Sequence, residues 1–122
     1  MKVREAIDRI DGLKHNTYTD GEKIGWLSLI DGIIKDQIID THEDGDEITF
    51  NGYTDEDMET EMLVPAPYDV LYLRWLEAQI DYSNGEYDKY NNAIIMYQTS
   101  YDAFANHYRR THMPKTAAFK YF

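Results

Sequence analysis

The chain is 122 residues long, 43% hydrophobic and free of low-complexity sequence, which fits one folded, soluble domain with a core of its own and is too short for two. With no cysteine it excludes disulfides, thiol nucleophiles and Cys-based zinc sites, and it is compatible with a reducing cytoplasm. No run approaches the roughly 18 apolar residues of a membrane span, no charged-then-apolar signal peptide opens the chain, and a net charge of −11 argues against nucleic-acid binding through phosphate neutralisation.

The first helix is expected over about 2–12, where Val3, Ile7 and Ile10 recur at helical spacing beside Ala6 and Gly12 supplies a stop. Residues 15–20 read as a connection. Thr19 followed by Glu22 is the capping-box pattern, so a second helix should run over about 20–41. Trp26, Leu27, Ile30, Ile33, Ile34 and Ile38 give it a wide core-facing arc, with Asp31, Lys35, Asp36 and Asp40 at the margins or on the opposite side. Gly25 and Gly32 each weaken an isolated helix by roughly 1 kcal/mol relative to Ala. They mark either a close approach of another backbone or simple tolerance.

The charge is unevenly spread. Residues 1–63 hold 6 Lys/Arg against 17 Asp/Glu, a net of −11, whereas residues 64–122 hold 6 of each. From Asp40 to Glu61, both included, there are ten acids and no Lys or Arg. An acidic surface can repel DNA, imitate it, or keep a protein soluble. Within this loop, which spans about 42–65, Glu47–Tyr53 has β-like residues and a turn-prone Asn51-Gly52. It is expected to form a short β-hairpin or an extended loop, and to project. Asp40, His42, Asp44 and Gly45 match the start of a calcium loop. Glu47 and Asn51 then break the pattern, where an apolar residue and a bidentate Glu belong.

A third helix is expected over about 67–83, with Pro67 in its first turn and Asp69 near its positive end. Tyr72, Leu73, Leu76 and Ile80 form one apolar face; Leu71, Trp75, Ala78 and Tyr82 form another. Only Arg74, Glu77 and Asp81 remain as a solvent strip. Such a helix is central, flanked by the second and fourth helices or by one of them and another subunit. Asn84-Gly85 provides a left-handed stop, so helices three and four should fold back as an αα-hairpin.

The fourth helix, over about 86–111, carries Tyr87, Tyr90, Ile94, Tyr97, Tyr101, Phe104 and Tyr108 in one narrow stripe. Tyr hydroxyls must reach water or a partner when buried, so the stripe reads either as core with hydroxyls at the rim or as a subunit contact. On the second reading Leu71, Trp75, Tyr82, Tyr97 and Tyr101 form the interface. The domain then covers 1–112, and Pro114 ends the helix. The extended tail 113–122 carries Phe119, Tyr121 and Phe122; it either tucks back on its own domain or, with Arg109 and Arg110, docks on a partner. The architecture expected is a compact all-α domain of four helices.

Motifs for catalysis are missing. There is no phosphate-binding glycine loop, His-Glu-x-x-His pair or Gly-x-Ser-x-Gly elbow. His15, His42, His107 and His112 are far apart in sequence, and the spacing of the last two does not place them on one helix face. No enzyme, cofactor or metal is expected.

The runs Val64-Pro-Ala-Pro-Tyr-Asp, Leu76-Glu-Ala-Gln-Ile-Asp-Tyr, Asn84-Gly-Glu-Tyr, Tyr90-Asn-Asn-Ala and Arg109-Arg-Thr-His-Met-Pro carry a resemblance. With Val3-Arg-Glu-Ala-Ile-Asp and Trp26-Leu-Ser-Leu-Ile-Asp-Gly, the chain resembles small proteins from the structural modules of tailed phages and prophages of Gram-positive bacteria. These are similar to head–tail connectors, helical adaptors that assemble as a ring under the portal. The resemblance implies a non-enzymatic virion protein, homo-oligomeric in the particle, contacting the portal and neighbouring head–tail proteins. DNA would pass without specific binding, and no membrane is involved. Asp44, Asp46, Glu47, Asp55, Asp57 and Glu59 would then face the channel. Two other readings stand beside it. Ala78, Tyr82, Gly85, Tyr87, Ala93 and Tyr97 resemble one tetratricopeptide helix pair, although about three are needed for a stable solenoid. The other is an acidic DNA mimic acting on a host protein.

Overall fold

A computed structural model describes residues 1–115. Among them lie four α-helices: α1 (Val3–Leu13), α2 (Asp20–Gln37), α3 (Val70–Ser83) and α4 (Tyr87–Thr111). Short 3₁₀ turns at Ile39–Thr41, Gly45–Glu47 and Asp55–Asp57 punctuate the loop between α2 and α3. The fold is all-α, as the apolar periodicity predicts, and no strand occurs among the described residues.

α1 buries Val3, Ala6, Ile7 and Ile10, the set its spacing selects. α2 begins with the expected capping box: Thr19 Oγ1 accepts from the Glu22 N–H at 3.2 Å, and the Thr19 N–H donates to the Glu22 carboxylate at 2.9 Å. It ends at Gln37, short of the expected Thr41, because the chain tightens into the 3₁₀ turn that buries Ile39. α3 starts three residues late. Pro67 follows a cis peptide bond in the preceding turn, where the Tyr68 N–H donates to Pro65 O at 3.0 Å. Asp69 takes the N-cap position without making a side-chain cap.

α3 is the central helix. It packs most extensively on α4, the αα-hairpin expected from Asn84-Gly85, and also touches α2 and α1. Gly85 turns the chain with φ of +74°, a conformation that costs Gly little. The expected solvent strip of α3 is not solvent-facing: Arg74 and Glu77 are half-buried, and Asp81 is fully buried. The Lys14 ammonium, at the end of α1, reaches the Asp81 carboxylate and supplies the paired charge that burial demands. Lys23 is likewise buried, donating to Asp11 at 2.7 Å and to Tyr18 O at 2.9 Å.

The acidic loop forms no hairpin. Within itself its backbone makes only short turn bonds, such as the Ile48 N–H to Gly45 O and the Asp57 N–H to Thr54 O, and elsewhere it bonds to the helical body. The Val3 N–H donates to Thr60 O at 3.1 Å, the Arg4 N–H to Met58 O at 2.9 Å, and the Met62 N–H to Met1 O at 3.0 Å. The Tyr53 N–H donates to Ser28 Oγ on α2 at 2.5 Å, and Phe50 lies edge-on to Tyr53 beside Gly32. The loop is therefore moulded onto the domain, contrary to the projecting arm expected from its composition. Gly32 admits the Phe50 ring at ordinary contact distance, while Gly25 faces open space and is simply tolerated.

Candidate protein-docking surface

Because α2 and α4 flank α3 on separate sides, a groove of about 320 Å³ remains between them. Its floor is Trp75 of α3. Ile33 and Gln37 of α2 form one wall; Ile94, Tyr97 and Tyr101 of α4 form the other. The 3,4 spacing of the Tyr stripe puts these last three residues on one face. The Trp75 indole N–H donates to Trp26 O at 2.8 Å, which fixes the ring against α2. Tyr97 leans on Trp75 with ring centroids 5.0 Å apart, and Tyr101 follows at 5.9 Å. The Tyr101 hydroxyl closes one end by donating to Gln37 Oε1 at 2.7 Å. Burial pushes both hydroxyls above the ordinary tyrosine range, so they remain neutral hydrogen-bonding groups at physiological pH.

The five residues proposed from sequence as an interface thus part company. Trp75, Tyr97 and Tyr101 share this groove. Leu71 is fully buried in the domain's own core and offers nothing to a neighbour. Tyr97, at 6% exposure, presents only its edge. Tyr82 is 56% exposed, but at the α3–α4 tip, where it clusters with Tyr87 and Tyr90 at centroid distances of 5.7 and 5.2 Å.

The middle and the end of the acidic loop are fastened to the core by a buried acid. Asp31, assigned from sequence to a helix margin, is fully buried. Its Oδ1 accepts from the Tyr72 hydroxyl at 2.6 Å, and its Oδ2 from the Tyr53 hydroxyl at 2.5 Å and the Leu63 N–H at 3.2 Å. The Tyr72 oxygen in turn accepts from the Val64 N–H at 2.9 Å. One carboxylate therefore ties α2 and α3 to the loop at Tyr53, in its middle, and at Leu63, near its end. Burial pushes its pKa up, and the three donors only partly offset that. The same burial, with the neighbouring Asp31 charge, drives the Tyr53 and Tyr72 hydroxyls far up. Sequence did carry a signal: Asp31 lies four residues after Leu27 and three before Ile34, on the face they bury.

Of the acids proposed to face a channel, Asp44, Asp46, Glu47, Asp55 and Glu59 are exposed and Asp57 is half-buried. Three of the six are engaged. Asp57 Oδ2 accepts from the Thr54 N–H at 2.7 Å in a small capping box, Glu59 pairs with Arg4 at 2.5 Å, and Asp46 pairs with Lys115 at 3.3 Å. Asp44, Glu47 and Asp55 make no ion pair among the described residues. Of the residues resembling a calcium loop, Asp40 is taken by Lys35, and His42 is buried with Nδ1 donating to Ile38 O at 2.7 Å.

At the far end of α4 a second, apolar cleft of about 380 Å³ opens between α4 and the loop, lined by Ile39, Ile48, Met62, Leu63, Pro65 and Phe104. His107 and His112 both border it, although five apart, because His112 has left helical geometry with φ of −132° and ψ of 142°. Its ring stacks on Tyr108 at 3.7 Å. Arg109 and Arg110 are exposed nearby; Phe119, Tyr121 and Phe122 lie outside the described residues. Among the described residues no group of three His, Asp or Glu is placed to hold a metal ion, and no helix is long and apolar enough to cross a membrane. Comparison of the chain with protein-family models, curated proteins and solved structures gave no match.

Proposed function

We propose that this chain is a non-enzymatic assembly subunit that works by docking to other proteins, in the form of a head–tail connector in a tailed-phage particle. The observation that carries the docking reading is the Trp75–Tyr97–Tyr101 groove. Trp75 and Tyr101, half-buried and anchored by hydrogen bonds on either side of the buried Tyr97, line a concave surface, and such aromatic groups concentrate binding energy at protein interfaces. The phage setting rests on the sequence resemblance alone. In it, the groove makes the lateral contact between ring subunits, and the exposed acids of the loop line the DNA passage and repel it.

Light scattering tests this with the purified full chain, alone and mixed with its cognate portal protein. A closed oligomer, or stoichiometric capture by the portal, is expected, and a substitution in the groove wall such as Ile94→Asp should abolish it while leaving the helical circular dichroism intact. A monomer indifferent to the portal would reject the reading. For the channel role, neutralising Asp44, Glu47 and Asp55 together should slow DNA release from assembled particles; unchanged release would remove that part. A DNA mimic is disfavoured by the engagement of Asp46, Asp57 and Glu59 within the chain, since a mimic needs its carboxylates arrayed outward.

A further inference from the structure

A smaller cleft, of about 240 Å³, opens between the end of α1 and the first half of α4, over α3. Asp81 of α3 lines it and is fully buried; Glu77, one turn earlier, is half-buried. Both carboxylates are short of donors. Asp81 Oδ1 takes the Lys14 ammonium, but its Oδ2 is buried with no hydrogen-bond partner among the described residues. Such an acceptor is rare, because its desolvation is left unrelieved. Glu77 has only ion pairs longer than hydrogen bonds, to Lys14 at 4.0 Å and to Arg74 at 3.8 Å. From α4 come the buried Ala93 methyl, the exposed Met96 and the exposed carboxamide of Asn92. Lys89, also lining the cleft, is paired with Glu86 at 3.3 Å.

We propose that this cleft is a recognition site for an arginine side chain of a partner protein. What the cleft lacks is N–H donors. Lys14, Arg74 and Lys89 balance Asp81, Glu77 and Glu86 in number, yet two carboxylates remain under-bonded. A guanidinium carries its donors in a rigid planar fork, so one N–H can serve Asp81 Oδ2 and another Glu77. The Lys14 ammonium, a point charge, reaches only Asp81 at hydrogen-bond distance. The methylene stem of an arginine suits the apolar Ala93 and Met96. Asp81 Oδ2 is closed to solvent, but Lys89 and Met96 around the same cavity are unbranched and exposed, so a change of rotamer admits the incoming group. Charge selects the source: a chain of net charge −11 repels a second copy and attracts a basic partner. The site shares no residue with the Trp75 groove, and the inference does not rest on the connector reading.

Nα-acetyl-arginine methylamide, titrated into the full chain and followed by NMR of methyl and side-chain amide groups, is the test. The Met96 and Ala93 methyls and the Asn92 amide should shift saturably, with a Kd in the millimolar range. The Met58 methyl, among the exposed acids of the loop, should stay still. The neutral isostere Nα-acetyl-citrulline methylamide should bind roughly tenfold more weakly, the loss expected for a charge-assisted bond. Asp81→Asn also disturbs the Lys14 pair, so Glu77→Gln is the variant of choice: it is half-buried and makes no hydrogen bond among the described residues, and it should weaken the probe several-fold with the rest of the spectrum unchanged. No saturable shift at Met96, an equal shift at Met58, equal affinity for the citrulline probe, or an unaffected Glu77→Gln chain each overturns the proposal. Tighter binding of free arginine than of the blocked probe assigns the cleft to a free amino acid and overturns the protein partner. So does a Met96 shift that grows with concentration of the chain alone and vanishes in Arg110→Ala, which assigns it to a second copy.

Discussion

Tyr72→Phe is the sharpest probe of the buried network, because it removes one oxygen and nothing else. That oxygen makes two bonds in a fully buried position: it donates to Asp31 Oδ1 at 2.6 Å and accepts from the Val64 N–H at 2.9 Å. A hydrogen bond to a charged group contributes roughly 1.5–3 kcal/mol, and a buried N–H stripped of its acceptor costs roughly 1–3 kcal/mol. The substitution should therefore destabilise the domain by about 3–5 kcal/mol. Against a typical total of roughly 5–15 kcal/mol, that is a large share. Tyr53→Phe is the internal control. It also deletes a donor to Asp31, but its ring is half-buried, no backbone N–H depends on it, and Asp31 Oδ2 keeps the Leu63 N–H. Its cost should be about half as large. Urea unfolding followed by the fluorescence of Trp26 and Trp75 measures both. If Tyr72→Phe falls within about 1 kcal/mol of wild type, or costs less than Tyr53→Phe, the hub does not carry the load assigned to it here.

Three further outcomes follow from the same geometry. Asp31 has its pKa raised by burial, so its contribution to stability is full below the unfolded carboxyl pKa of about 4 and is lost as pH rises through the folded value; Asp31→Asn should compare better with wild type near pH 7 than near pH 5, and parallel pH profiles would contradict this. Asp11 runs the other way: burial pushes it up, but hydrogen bonds from Lys23 and Asn16 outweigh that, so its share of stability is lost on acidification and Lys23→Met should flatten the acid limb of the profile. Gly45→Ala would place a Cβ 2.2 Å from Ile39 O and should cost at least about 2 kcal/mol, whereas Gly25→Ala meets nothing within 4 Å and should stabilise by about 0.5–1 kcal/mol; thermal melts of the pair give the contrast directly.

The helices were legible because their determinants are local. Thr19 with Glu22, the 3,4 stripe from Tyr87 to Tyr108 and the Asn84-Gly85 stop each act within one or two turns of backbone. What escaped sequence reading depends on partners far along the chain. The Glu47–Tyr53 segment has strand-like composition, but Tyr53 finds its acceptors in Ser28 and Asp31, more than twenty residues upstream, and that outcompetes a hairpin. Asp81 reads as solvent-facing until Lys14 is brought beside it from α1. The groove was half legible: the stripe named Tyr97 and Tyr101, while only the packing of α3 shows that Trp75 floors it and that Leu71 does not reach a surface.

The acids of this chain divide by what their removal would cost. Asp31 and Asp81 are buried and bonded, and Asp57 caps a turn, so changing any of them opens internal bonds and confuses a test of charge with a test of folding. Asp44, Glu47 and Asp55 are exposed on a loop held to the body at several points: Gly45 O accepts from Lys35 Nζ at 3.1 Å, the Glu43 N–H donates to Met113 O at 2.7 Å, and Tyr53 and Leu63 are bonded to Asp31. Their charges are therefore held at set positions without contributing to what sets them. Asp44 does carry a left-handed backbone, with φ of 68°, a conformation Asn adopts as readily as Asp, so amide replacement leaves it unstrained. The charge of the loop can thus be varied while its shape is kept, which is the condition for an ejection or binding assay to report electrostatics alone.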